Sequence, residues 1–345
     1  MAPIHIGLTL SDQHHTDIPN GLRIPQSLHL YGERLRQAIG SDDLLLELHP
    51  TDAFVLPARY PDQFRLNRDN CWLNAVEFSE PIREMIELRR FRIGVHQSPV
   101  GDLLSSNFYG KYHALEEARR AMDFAAGIGA DYFVINLAQQ DKWEWARADQ
   151  YQKGLKAFKE LATYYRSMGH DYVPCIETLP FPRFPATGGE LTQLIYECQN
   201  LLPETRIALN LSTLWQSCQR MRATGHWPNE SVSFNDHLDF TLAQTWEQIY
   251  CFHLGGCWES EAYAVPGLHP QQNPFQHQMK LRESAGVYAE SGEIDLNRLL
   301  ALLVEYTVAR DRDLTLVLEI HDRDIGQLSE AARQLYLDLL ARAEP

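Results

Sequence analysis

Residues 125–136 read AAGIGADYFVIN, and residues 167–177 read SMGHDYVPCIE. In each, a segment with apolar side chains at three- and four-residue spacing runs into a glycine, Gly127 and Gly129 in the first and Gly169 in the second. A short run of apolar residues then follows. Glycine enters the left-handed conformation that ends a helix without steric penalty. A continuous apolar run bounded by polar residues suits a strand covered on both faces. Helix, glycine and buried strand therefore occur twice in succession, which is the pattern of parallel β/α units.

Outward from these two units the alternation continues. Strands are expected over residues 4–10, 44–48, 92–95, 132–137, 172–176, 207–211, 249–254 and 314–320. Helical spacing occupies 27–39, 81–90, 114–128, 151–168, 190–201, 236–248, 296–308 and 328–340, and the stretch 214–222 shows it as well. Eight such strands without a Ser/Gly-rich linker predict one domain over residues 1–345, an α/β fold of the (β/α)8 TIM barrel type, with irregular insertions near 50–74 and 257–291. An open doubly wound sheet is the competing arrangement.

Composition narrows the function. A formal net charge of −15 and a pI near 5.4 repel phosphodiester backbones, so no nucleic-acid partner is expected. The six cysteines form no CxxC pair, the first residues lack the pattern of a secretory signal, and no apolar stretch is long enough to span a bilayer. These features predict a cytoplasmic protein with reduced thiols and no membrane partner, acting on a small-molecule substrate, with monomer and homo-oligomer both open. Phosphate loops of the GxxxxGK[ST] type and the GxSxG elbow are both absent.

Polar side chains gather where the strands end: Glu47 and His49, His96, Asn136, Glu177, Asn210, His253 and Glu319. In a barrel these positions share one rim, the rim at which barrel enzymes work. Glu177 follows VPCI and Glu319 follows LTLVL, so each carboxylate closes an apolar strand where an unpaired charge is costly. A cation offsets that cost. Two carboxylates, an imidazole and an amide oxygen make a mixed N/O donor set suited to a divalent metal, Mn²⁺, Zn²⁺ or Mg²⁺. The competing reading pairs each acid with an arginine or a helix start.

The order of motifs resembles that of the xylose isomerase-like superfamily, which includes sugar and sugar-phosphate isomerases and epimerases and endonuclease IV. The resemblance rests on GVHQSPVGDLLSSN (94–107), YFVIN (132–136), CIETLP (175–180), IALNLSTLW (207–215), CFHLGG (251–256), AESGEID (289–295) and LVLEI (316–320). It implies a metal centre of Glu, Asp, His and Glu on the fifth to eighth strands, which falls on Glu177, Asn210, His253 and Glu319. Asn210 departs from the pattern and removes one negative charge. Of the further ligands of the three-metal endonuclease branch, only His96 is matched; Asn136, Thr213 and residues 284–286 stand at the others. The resemblance thus implies an isomerase or epimerase of a sugar or related polyhydroxy metabolite. In that chemistry the metal holds a ketose's oxygens, Glu177 and Glu319 move the proton beside its carbonyl, and His96 and Asn136 contact substrate. Two other readings are open: a non-catalytic binding or scaffold protein with an eroded metal site, and a metal-dependent hydrolase or lyase of a non-sugar metabolite.

Overall fold

Inside the barrel, side chains follow the two-residue period of a strand, and that period places the site. The strands are β1 (Ile4–Leu10), β2 (Leu45–Leu48), β3 (Arg92–His96), β4 (Tyr132–Ile135), β5 (Val173–Glu177), β6 (Arg206–Asn210), β7 (Ile249–Leu254) and β8 (Leu314–Leu318). All neighbours pair in parallel, and β8 pairs with β1 to close the barrel. The computed structural model describes residues 3–10, 23–40, 44–48, 79–97, 102–138, 145–226, 232–255, 257–258, 282–283, 295–319 and 325–343.

Leu45, Tyr132, Val134, Cys175, Ala208, Cys251 and Val317 form a small cluster within the barrel. Their sequence neighbours Leu46, Phe133, Ile176, Leu209, Phe252 and Leu318 belong to the larger core between strands and helices. Both faces of each strand are therefore apolar, which is why the runs read as continuous. Burying one such leucine or phenylalanine stabilises the fold by about 1.5–3 kcal/mol. Two residues beyond the inner cluster, on the same face, stand Glu47, Glu177, Asn210, His253 and Glu319. The polar rim is the next layer of the interior, displaced by one repeat of the strand.

Among the described residues nine α-helices surround the barrel: α1 (Arg23–Ile39), α2 (Ser79–Arg89), α3 (Phe108–Ile128), α4 (Arg147–Met168), α5 (Gly188–Leu201), α6 (Leu211–Ala223), α7 (Phe234–Thr245), α8 (Leu296–Arg310) and α9 (Ile325–Ala343). Both segments between β6 and β7 are helical, α6 and α7. Several helices begin earlier than apolar spacing predicts, because polar caps rather than buried faces set their starts. Asn107 accepts hydrogen bonds from the backbone N–H groups of Tyr109 and Gly110, so α3 opens at Phe108, upstream of Ala114, its first buried residue. Asn210 likewise caps α6, so Leu211 is helical and not the last strand residue.

Gly129 and Gly169 end α3 and α4 with φ of 71° and 68°, as the opening motifs require. Gly127 instead lies within the last turn of α3. The insertion near 50–74 lies outside the described residues, as does that near 257–291, apart from a short antiparallel pair between Cys257–Trp258 and Arg282–Glu283. No helix among the described residues is long and apolar enough to cross a membrane. Cys175, Cys198, Cys218 and Cys251 are buried free thiols.

A Cβ on Gly129 meets nothing within 4 Å, so only backbone strain opposes a side chain there. Gly129→Ala is expected to lower stability by about 1 kcal/mol, read as a lower urea midpoint with unchanged slope.

Candidate active site

Glu177, at the end of β5, is the hub of the rim. Its Oε1 lies 2.7 Å from His253 Nδ1 and accepts a hydrogen bond from Asn210 Nδ2 at 3.0 Å. Its Oε2 lies 3.1 Å from His96 Nε2. Glu319, just beyond β8, accepts from Asn210 Nδ2 at 2.6 Å and lies 3.9 Å from His253 Nδ1. Four strand ends plus the residue after β8 thus converge on one point. His96, Glu177, His253 and Glu319 each offer a ligand atom within 4.8 Å of the others. Glu177 and His253 are buried, and the Glu319 side chain is the most open of the group at 12% exposure.

The proton positions follow from the partners. His96 Nδ1 is 2.9 Å from the Gln97 carbonyl, which only accepts, so Nδ1 carries hydrogen; Nε2 faces a carboxylate and carries one too. Burial alone would lower the His96 pKa, but Glu177 overrides it and raises the ring to about 9. His253 lies between two carboxylates, Glu177 at Nδ1 and Glu47 at Nε2 (3.0 Å), and is held protonated well above the ordinary histidine range against the cost of burial, chiefly by Glu47. Burial pushes Glu177 upward; His96 and His253 outweigh it and keep the carboxyl well below the usual carboxylate range.

This donor set fits a divalent cation. Two carboxylate oxygens and two imidazole nitrogens suit Zn²⁺ or Mn²⁺ better than the oxygen-seeking Mg²⁺, and a dication replacing the His96 Nε2 and His253 Nδ1 protons leaves the net charge unchanged. Asn210 has a different position in this arrangement. Its Oδ1 accepts from the Thr213 backbone N–H at 3.0 Å, capping α6, while its amide nitrogen bridges Glu177 and Glu319. Turning the amide over would set its oxygen against two carboxylates and its NH₂ against a backbone donor, so the network fixes the orientation. Asn210 thereby clamps the two acids, and acting as a ligand requires it to release the helix start.

Asn136 continues the wall beside His96: its backbone N–H donates to Gln97 Oε1 at 3.1 Å. Its buried side-chain oxygen finds no hydrogen-bond partner among the described residues. Thr213, at one of the endonuclease positions, donates its hydroxyl to the Thr178 carbonyl at 2.8 Å. His49 and residues 284–286 lie outside the described residues. Past the end of β5, Arg147 pairs with Glu190, donates to the Pro182 and Arg183 carbonyls, and lies over the Phe181 and Phe184 rings, which fastens the loop between β5 and α5.

Two residues of the site carry no role in the sequence reading. Glu47 is fully buried, and Tyr132 on β4 donates its hydroxyl to Glu47 Oε2 at 2.7 Å. The available signal was the acid inside LLLEL, which no surface strand explains.

No protein-family model matches the chain, and no curated protein matches it by sequence. Solved structures do match over nearly the whole length. L-ribulose 3-epimerase is 15% identical at a TM-score of 0.59, covering 99% of this chain and 96% of its own. The 3-keto-D-glucoside 4-epimerase of E. coli is 13% identical at a TM-score of 0.58, covering 98% and 99%. D-allulose 3-epimerase from Methylomonas sp., in complex with D-allulose, is 12% identical at 0.58, covering 99% and 98%. These likenesses establish the fold alone, a closed eight-stranded β/α barrel of the kind seen in these sugar epimerases.

Asn210→Asp replaces the clamp with a third carboxylate and is expected to tighten Zn²⁺ or Mn²⁺ binding on the order of tenfold or more, measured by calorimetry. The raised His96 pKa stabilises the metal-free protein fully below 6.5, and that contribution disappears as pH rises through about 9. Tm of the metal-free chain is accordingly expected to fall across that interval, while divalent-metal affinity rises as the competing protons leave.

Proposed function

We propose that the protein is a metal-dependent isomerase or epimerase of a sugar or related polyhydroxy metabolite, working by proton transfer beside a carbonyl. One observation carries this reading: two carboxylates and two imidazoles from different strands meet within 4.8 Å at the C-terminal rim of the barrel. The solved sugar epimerases of the same fold support it.

Glu177, His253, Glu319 and His96 would hold the cation, with Asn210 joining them only by giving up the cap of α6. When bound, the cation supplies Lewis-acid polarisation, making the proton next to the substrate carbonyl more acidic. Glu319 is the carboxylate with access to the mouth, and in this reading it removes that proton. Glu177, tied on both oxygens, is the opposing acid/base group, and the Asn210 amide sets the spacing between the two. Asn136 offers its unsatisfied buried oxygen to a substrate hydroxyl, which removes the cost of leaving that acceptor bare. His96, with Nδ1 on the Gln97 carbonyl and Nε2 toward the cation, would meet the substrate through its ring carbons.

Incubation with a panel of ketoses in deuterated solvent with added Mn²⁺ is expected to put deuterium beside the carbonyl of at least one sugar. Glu319→Gln is expected to lower that rate by roughly 10²–10⁴-fold with the fold intact. A wild-type protein that binds no stoichiometric divalent metal and exchanges no substrate proton overturns the reading.

A further inference from the structure

Next to His253 in the barrel interior, Glu47, Gly94 and Tyr132 form one row across three neighbouring strands. Glu47 is in register with Gly94, and Gly94 with Tyr132. Tyr132 crosses the middle strand to reach Glu47, and only glycine leaves room for it: a Cβ on Gly94 would lie 2.1 Å from Tyr132 Cζ. The crossing delivers the phenol hydroxyl to Glu47 Oε2 at 2.7 Å. The same oxygen lies 3.0 Å from His253 Nε2. A carboxylate with no exposed surface is thus held between a phenol and an imidazole. Cys251, also close to this carboxylate, is a thiol that burial keeps protonated, 3.8 Å from the same ring nitrogen.

We propose that Glu47, held by Tyr132, is a positioning residue for His253, fixing the ring so that Nδ1 rather than carbon faces Glu177 and Glu319. This rests on the proposed function, in which His253 Nδ1 is a ligand. The argument is geometric. Turning the imidazole over about its Cβ–Cγ bond puts Cδ2 where Nδ1 stands and Cε1 where Nε2 stands. Neither carbon can ligate a cation or satisfy a buried carboxylate. The bond at Nε2 therefore resists that rotation, and it also assigns the Nε2 proton, leaving Nδ1 as the atom available to the site. Packing alone gives no reason for an acid here, because an apolar residue of similar size fills the same space without desolvating a charge.

The test uses the full chain with ¹⁵N-labelled histidine rings, comparing wild type with Glu47→Gln and Tyr132→Phe. Tyr132→Phe keeps the ring that fills the barrel and serves if Glu47→Gln fails to fold. In the wild type the His253 Nε2–H proton is expected as a strongly hydrogen-bonded, downfield resonance. It is expected to move upfield in both variants, with Zn²⁺ affinity from calorimetry weakened about 10- to 100-fold in Glu47→Gln and less in Tyr132→Phe. Folded variants that retain both the wild-type resonance and the wild-type Zn²⁺ affinity overturn the proposal while leaving the metal reading intact. A wild type that takes up no Zn²⁺ overturns the metal reading, and the resonance shift alone then decides whether Glu47 orients the ring.

Discussion

A carboxylate inside a protein has to be matched by donors or cations, and the arrangement of this barrel's mouth follows from matching Glu177. Its two oxygens draw in His253, Asn210 and His96 from three other strands. Each of those partners is fixed in turn: His96 by the Gln97 carbonyl, Asn210 by the start of α6, His253 by Glu47. Remove the charge at the hub and His96 loses its main reason to be protonated, while His253 is left with Glu47 alone on its far side. The geometry that brings four metal-type donors together is thus maintained by electrostatics before any ligand arrives.

The barrel was legible because its strands carry two apolar faces, a pattern that only a sheet covered on both sides explains. All eight strands fall where the apolar runs place them, within one or two residues at their ends. Helix starts were less legible. Asn107 and Asn210 are surface-like polar residues in sequence, and only their backbone partners reveal that they begin α3 and α6. The rim residues were legible as polar side chains closing apolar strands. Their mutual contacts were not, since no spacing along the chain encodes which strand end faces which across the barrel.

Glu47 and Tyr132 show where that reading stops. A glutamate in LLLEL looks like one more strand-end acid, and a tyrosine opening YFVI looks like ordinary strand composition. Their pairing depends on Gly94, the missing side chain of the strand between them. A vacancy is harder to read from sequence than a group, because glycine has many other uses. The same limit applies to Asn210: its identity shows the loss of an acid, but only the folded barrel shows its nitrogen between two carboxylates and its oxygen on a helix.

That divided amide has a mechanical meaning. Oxygen and nitrogen of one planar group cannot move independently, so whatever draws the nitrogen away from the acids swings the oxygen off Thr213. The first turn of α6, and the segment that carries Thr213, Leu214 and Trp215 into the core, thereby registers events at the barrel mouth. A single planar lever of this kind turns occupancy of the mouth into slack or tension in the wall.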